Sequence, residues 1–445
     1  MRVVLASVGR LDTIYALSSG AGKAGVAVVR VSGPDTADVV GRMCSGLPEP
    51  RKAELRVLRS LSSGEAIDRC LVLWFPAPGS FTGEDVAELH VHGSVGVVRW
   101  LLEELGKAGG LRPADAGEFV RRAFINGKMD LVEIEGLADM LESESRQQVR
   151  QALFHVDGQA SQVFGRWRAG LISALALVEA CIDFSDEDGV EMAARPQILD
   201  AVRTLRNEMA SELGGAERGR RTRLGVRVVL AGAPNAGKSS LMNAIARRDV
   251  AIVSKQAGTT RDVVEVSLDL GGFAVELADT AGVRTEFDSE VEQLGIDRTL
   301  QRLKEADLVL LVGSADALWP KLDIDSDTIR VWNKMDVAGA SLDDKCDLEI
   351  SALSGEGVQE LLELVESRVA GVAGNTEPAL LVRDTQIHAV RQCLGCLDRA
   401  LASGLSLEIV AEELRSAANV IDRLVGKVDV DDLLDEIFSK FCVGK

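Results

Sequence analysis

Residues Gly232-Ala-Pro-Asn-Ala-Gly-Lys-Ser239 have the spacing GxxxxGK[ST]. They follow a hydrophobic run, Val226-Arg-Val-Val-Leu-Ala231, and precede a helix-forming stretch, Ser240-Leu-Met-Asn-Ala-Ile-Ala246. In that context the glycines let backbone N–H groups wrap phosphates, and the helix start adds positive partial charge. Lys238 would reach the β- and γ-phosphates and Ser239 would ligate Mg²⁺. Further motifs follow in order. Gly258-Thr-Thr-Arg-Asp262 offers Thr259 and Thr260, one hydroxyl of which can complete the Mg²⁺ shell; Thr260 is the candidate. Asp279-Thr280-Ala281-Gly282 ends the apolar run Phe273–Ala278, where a carboxylate can hold Mg²⁺ through water and a glycine N–H can meet the γ-phosphate. Asn333-Lys334-Met335-Asp336 follows another apolar run. The Asp336 carboxylate can accept from guanine N1 and N2, which adenine cannot match. Ser351-Ala352-Leu353 is the last base-contact loop. Each motif alone is weak. Their order and spacing, each after a strand, imply a GTP-hydrolysing domain of Ras-like P-loop type.

One expected side chain is missing. Many such enzymes place a water-orienting glutamine after the DxxG glycine, and here that residue is Val283. The acidic segment Asp288-Ser-Glu-Val-Glu292 lies nearby. By chemistry alone it can be read as a solvated first helical turn or as a catalytic segment.

The elements that must position these groups can be read from periodicity. Residues 1–128 read as mixed α/β, with strands at Gly25–Val31, Cys70–Phe75 and Val86–His92, then a helix over 97–106. From Leu131 to about Ile182 apolar residues recur at helical spacing. After an acidic break at Asp183–Glu191 the pattern continues over 196–213. The basic cluster Arg218-Gly-Arg-Arg-Thr-Arg223 reads as a linker. Strand and helix then alternate to about Arg368, and from about 378 helical spacing returns. The phosphate-binding domain is therefore inserted between two helical stretches. The expected boundaries are 1–128, 129–222, 223–372 and 373–445.

Composition sets bounds. The chain has 445 residues and a net charge of -19, which argues against nucleic-acid binding through a broad basic surface. Aromatic content of 4% offers few stacking platforms. Seven cysteines in a chain of this length suit a reducing, cytoplasmic setting, and the lone Cys393/Cys396 pair reads as helix packing. No apolar stretch is long enough for a membrane span. His90 and His92 read as strand residues, because no third metal ligand is near.

Beyond these motifs, the sequence resembles the MnmE (TrmE) family of tRNA-modification GTPases. The resemblance rests on Asn235-Ala-Gly-Lys-Ser-Ser240, Gly258–Asp262, Asp279-Thr-Ala-Gly-Val-Arg284, Asp12-Thr-Ile14, Val29-Arg-Val-Ser-Gly-Pro34, Phe81–His90, Gly117–Leu131 and the tail Phe441-Cys-Val-Gly-Lys445. It covers essentially the whole chain. It implies an N-terminal α/β folate-binding and dimerisation domain, a helical domain in two segments, and an inserted G domain. It implies action with the flavoprotein MnmG, as a heterotetramer, on the wobble uridine of tRNA at C5. Tetrahydrofolate (formyl or methylene) would supply the one-carbon unit. The tRNA could be held mainly by the partner.

The resemblance also implies site residues. A K⁺ ion would be held by Asn235, Ser254, Gln256 and Thr259, in a nucleotide-binding loop that runs Ser254-Lys255-Gln256-Ala257-Gly258. Glu292 would position water, and with Lys238 and Thr260 it completes the expected catalytic set. Folate would meet Arg30, Glu88, Lys128 and Lys445. Cys442 matches the family's C-terminal cysteine. Two positions depart from the pattern. Leu353 stands where the family more often has a basic residue, and Ser18–Gly25 replaces a loop containing proline and arginine. Two other readings compete: a regulatory GTPase on ribosomal RNA, which the acidic run Asp429–Glu436 disfavours, and a folate-dependent transferase with a passive G domain.

Overall fold

The computed structural model describes residues 12–183, 190–248, 250–252, 265–279, 301–320, 326–337, 346–374, 377–426, 441 and 444. By contact the chain divides into two units, Met1–Ala138 with Asp422–Lys445, and Asp139–Ile421.

The first unit is built on a six-stranded sheet. Its strands are β1 (Thr13–Leu17), β2 (Val26–Ser32), β3 (Glu54–Arg59), β4 (Ala66–Phe75), β5 (Val86–His92) and β6 (Leu111–Pro113), in the order β3-β4-β5-β2-β1-β6. All pairs are antiparallel except β1–β6. Alternation in β2 sends Val29 and Val31 into the core and leaves Arg30 on the other face. Helices α1 (Thr36–Met43) and α2 (Val95–Lys107) cover the core face, with Val39, Val40, Leu101 and Leu105 buried against it. A second small core gathers Val120 of α3 (Glu118–Ile125), Leu131 and Ile134 of α4 (Leu131–Glu142), and Phe441 from the far end of the chain. Strands β1 and β3 carry no flag in the sequence reading. β1 is short and runs into Ser18-Ser-Gly, and β3 interleaves arginines with its apolar residues.

The second unit holds the long helices α5 (Arg146–Val156), α6 (Gln159–Asp183) and α7 (Val190–Gly214). Helix α6 buries Phe164, Trp167, Leu171, Ala174 and Val178, a stripe at spacings of three and four. The basic cluster expected to be a linker is instead helix α8 (Ala216–Leu224). Arginine is a good helix former, and Glu217 in the first turn with Arg221 and Arg223 in the last suits the helix dipole. Carboxylates neutralise three of its arginines: Arg220–Glu217, Arg221–Asp307 and Arg223–Asp139.

A seven-stranded sheet follows. Its strands are β7 (Val226–Gly232), β8 (Ala251–Ile252), β9 (Glu265–Leu270), β10 (Phe273–Asp279), β11 (Leu308–Gly313), β12 (Asp327–Trp332) and β13 (Leu348–Glu349), in the order β13-β12-β11-β7-β10-β9-β8. β7, β10, β11, β12 and β13 run parallel, so their carboxyl ends share one edge. Helix α9 (Lys238–Ala246) starts there, and α10 (Val358–Ala373) packs Leu361, Val365 and Val369 into the sheet core. Helices α11 (Asp384–Ala400) and α12 (Leu407–Leu424) come last. Cys393 and Cys396 are buried on α11, the Cys393 sulfur lying 3.9 Å from the Ala417 carbonyl.

Segment 379–382 threads between helices, and its backbone needs partners. Gln151 supplies two: Nε2 donates to Ala379 O at 2.7 Å, and Oε1 accepts from Ala379 N–H at 2.8 Å. His155 Nε2 lies 3.2 Å from Leu380 O. Gln151 is 4% exposed, so water cannot replace its amide. Gln151→Ala is expected to lower stability by about 2 kcal/mol, the cost of leaving buried backbone groups unpaired, seen as a lower midpoint in thermal unfolding. An unchanged midpoint would show that the latch carries no load.

Candidate functional site

The phosphate loop, Asp279 of the DxxG motif and the base motif meet at the carboxyl edge of the parallel strands, where open α/β sheets place their ligands. The loop after β7 turns into α9 through Gly237, with φ +94. A Cβ there would stand 2.2 Å from Asn333 Nδ2. Only glycine lets Asn333 come this close, and the contact is used. Asn333, 2% exposed, donates from Nδ2 to Ala236 O at 2.9 Å and accepts at Oδ1 from Ala352 N–H at 3.0 Å. Its own N–H donates to Gly313 O at 2.8 Å. One amide thus ties the phosphate loop, the base motif and the Ser351–Leu353 loop together. Ser351, fully buried, donates its hydroxyl to Asp336 Oδ1, leaving the exposed Asp336 with a second carboxylate oxygen for a ligand. Leu353 is 85% exposed at the rim.

At the phosphate end Lys238 is buried at 6% exposure. Its Nζ donates to Gly232 O at 3.0 Å and Ala233 O at 3.1 Å. Burial pushes the ammonium's pKa down, while the Asp279 carboxylate pulls it up. Ser239 Oγ donates to Asp279 Oδ2 at 2.8 Å, although the two are forty positions apart. Asp279 Oδ1 is buried and has no hydrogen-bond partner among the described residues. A buried carboxylate oxygen without a partner is costly unless a cation or water meets it. A hydroxyl and a hard carboxylate side by side form the donor set that suits Mg²⁺. Asn235 is exposed with φ +66, and Ser240 is exposed on the first turn of α9. Ser254, Lys255, Gln256, Ala257, Gly258, Thr259, Thr260, Thr280, Ala281, Gly282, Val283 and Glu292 lie outside the described residues, as do Cys442 and Lys445.

In the N-terminal unit, Arg30 and Glu88 are cross-strand partners on β2 and β5. Arg30 Nη2 and Nε meet Glu88 Oε1 at 2.9 and 3.1 Å. The guanidinium carbon sits 5.1 Å from the Phe81 ring centre and 5.6 Å from that of Phe119. Lys128 Nζ donates to Pro78 O at 2.9 Å, and its stem lies beside Gly83. The loop 81–84 therefore links all three residues. It is held by Arg122, 4% exposed, which meets Glu84 at 3.1 Å, Asp12 at 2.9 Å and Glu118 at 3.0 Å, and by Asn126, which donates to Thr82 O at 2.7 Å. On β5, His90 lies 3.3 Å from Glu88 and His92 meets Asp68 at 2.8 Å.

Sequence reasoning did not single out Arg122, nor Asp316, which binds the motif lysine Lys334 at 2.8 Å. The signal for Asp316 was an acid just past β11, the strand adjacent to the one that delivers Asn333.

Two family models match. The MnmE helical domain matches residues 131–442, and the N-terminus of the GTP-binding protein TrmE matches residues 13–128. Curated relatives carry the name tRNA modification GTPase MnmE. The protein of Rhizobium meliloti is 47% identical over 441 residues, covering 98% of this chain and 99% of its own. That of Beijerinckia indica is 44% identical over 442 residues, covering 99% and 98%, and that of Brucella canis 45% over 439, covering 98% of each. Among solved structures, the G domain of the T. maritima FeoB iron transporter aligns with 34% of this chain and 99% of its own at 24% identity and a TM-score of 0.24, which adds nothing to the assignment. With both family models and full-length relatives in agreement, the chain belongs to the MnmE family of tRNA-modification GTPases.

Proposed function

We propose that the chain hydrolyses GTP at the carboxyl edge of its parallel sheet, and that this turnover serves modification of the tRNA wobble uridine at C5. The observation that carries the nucleotide part is the Ser239–Asp279 contact with its unpartnered Asp279 oxygen, at the far end of a loop that Asn333 ties to Asp336. Phosphates entering the loop replace the Gly232 and Ala233 carbonyls as partners of the Lys238 ammonium. Ser239 and Thr260 would hold Mg²⁺, with Asp279 reaching it through water; that ion would supply charge neutralisation for the transferring phosphoryl group. Asp336 reads guanine N1 and N2, and Ser351 keeps its carboxylate turned toward the base. Asn235, Ser254, Gln256 and Thr259 would hold K⁺, which stands in for an arginine finger where Val283 replaces the usual glutamine. Glu292 would orient water.

For the tRNA part the support is family membership over the whole chain. The reading includes MnmG as partner, in a complex built on a homodimer of this chain, acting in the cytoplasm. Tetrahydrofolate would bind at Arg30, Glu88, Lys128 and Lys445. The residues present fit that group: a guanidinium near two phenyl rings and paired with a carboxylate suits a flat ring bearing donors, and the Lys128 ammonium suits a glutamyl carboxylate. No helix among the described residues is long and apolar enough to cross a membrane.

Three tests follow from these assignments. Replacing Na⁺ by K⁺ should raise GTP turnover by at least roughly tenfold, well within what a cationic finger supplies, and Asn235→Ala should lose that stimulation while still binding GTP. Equal rates in the two salts would remove K⁺ from the mechanism. Asp336→Asn should weaken GTP about a hundredfold or more relative to XTP in competition binding, because the carboxylate acceptor for the guanine N1 and N2 hydrogens is lost; retained preference for GTP would move base selection elsewhere. Nucleosides of tRNA from a strain lacking the gene should lack the wobble modification, and an unchanged profile would refute the pathway.

A further inference from the structure

The turn that carries Asp316 lies outside the motifs that define the nucleotide site, yet it is built firmly against them. Ser314 N–H donates to Ala317 O at 2.9 Å and Ala317 N–H to Ser314 O at 3.0 Å, closing the turn on itself. Two indoles seat it. Trp319 covers Gly313, where a Cβ would fall 2.5 Å from Nε1, and meets Trp332 edge to face at 5.2 Å. Trp332 is the residue before Asn333, so the packing that holds the turn also holds the start of the base motif. Neither indole N–H has a hydrogen-bond partner among the described residues, so the edge-to-face packing is what the pair offers the turn.

Within the turn, the fully buried Ser314 donates Oγ to Asp316 Oδ1 at 2.8 Å. The carboxylate then accepts from Lys334 Nζ with both oxygens, at 2.8 and 3.1 Å. Lys334 and Ser314 together hold the Asp316 pKa down to about 2, so the carboxylate is ionised at any working pH. Lys334 itself adopts φ +70, a left-handed conformation uncommon for a long side chain. Its stem runs beside the phosphate loop, with Cε 4.0 Å from where a Gly237 Cβ would stand. The lysine is thus restrained at both ends: its backbone follows the buried Asn333, and its ammonium is tied to Asp316.

We propose that Asp316 is a positioning residue for the guanine nucleotide: it holds the Lys334 stem along the cleft between the phosphate loop and the base loop, so that the nucleoside meets a wall already ordered. The proposal rests on the guanine-nucleotide reading above. A lysine free at its tip samples many rotamers, and ordering it when the ligand arrives costs affinity. The tether removes that cost before binding and cancels the ammonium's charge, leaving the alkyl stem as the surface on offer. An exposed ion pair contributes little to stability by itself, so the effect belongs in nucleotide affinity and must pass through the lysine.

The test uses the full chain, with 2′/3′-N-methylanthraniloyl-GDP as binding probe and steady-state GTP turnover as second readout. Asp316→Asn should raise both the probe's Kd and the KM for GTP about fivefold, the size expected from ordering one long side chain, with kcat changed by less than about twofold. Asp316→Glu, which keeps the charge, should recover part of the loss. In a Lys334→Ala background Asp316→Asn should change nothing further. An unchanged Kd in the single variant, or the same fivefold loss in both backgrounds, would overturn the proposal, since Asp316 would then not act through Lys334. Wild-type protein that binds neither the probe nor GTP would overturn the guanine-nucleotide reading itself, and this proposal with it.

Discussion

The nucleotide site depends on one buried amide. Asn333 bonds Ala236 and Ala352 at the same time, across 97 and 19 positions of chain. It can do so because Gly237 has no side chain: a Cβ there would stand 2.2 Å from Asn333 Nδ2. A buried amide with both ends satisfied fixes distance and direction. The phosphate loop and the base loop therefore keep a set separation, which a ligand spanning both requires. Ser351 on Asp336 and Asp316 on Lys334 then orient the side chains on either side of that staple.

The phosphate end is held differently. There the parts are charged and only partly satisfied. Lys238 rests on loop carbonyls, and Asp279 keeps one oxygen engaged with Ser239 and one without a partner. Polar groups left in this condition are poised for a ligand that brings its own charge. The contrast suits the proposed hydrolysis: the base end is fully hydrogen-bonded, while the phosphate end keeps polar groups open to a charged ligand.

The N-terminal unit repeats the logic with a cation at its centre. Arg122 is nearly inaccessible and meets carboxylates from three separate places, Asp12, Glu84 and Glu118. With Asn126 it pins the loop 81–84 beside Arg30. Removing one partner from such a network leaves buried charge uncompensated. The blocks Phe81–His90 and Gly117–Leu131 are thus held together by Arg122 and Asn126.

Much of this was legible in the sequence. Strands and helices at β2, β4, β5, α2 and through the long helical stretch follow from period-two and helical spacing, because burial on one face writes itself into the residue order. The nucleotide motifs were legible because backbone cradles need glycine and a lysine at set steps. The helix at 216–224 was not, since an arginine-rich segment shows no apolar stripe. Its propensity and dipole pattern are local, but the partners that seat it lie far away in sequence: Asp139, Asp307 and the backbone at 381 beside Gly219. The same holds for Asp316, Arg122 and the Ser239–Asp279 contact. Composition, motif order and family were determined by the residues alone, because they depend on local spacing. Which charges meet, and which oxygen is left without a partner, was decided only when the sheets brought distant segments within hydrogen-bond reach.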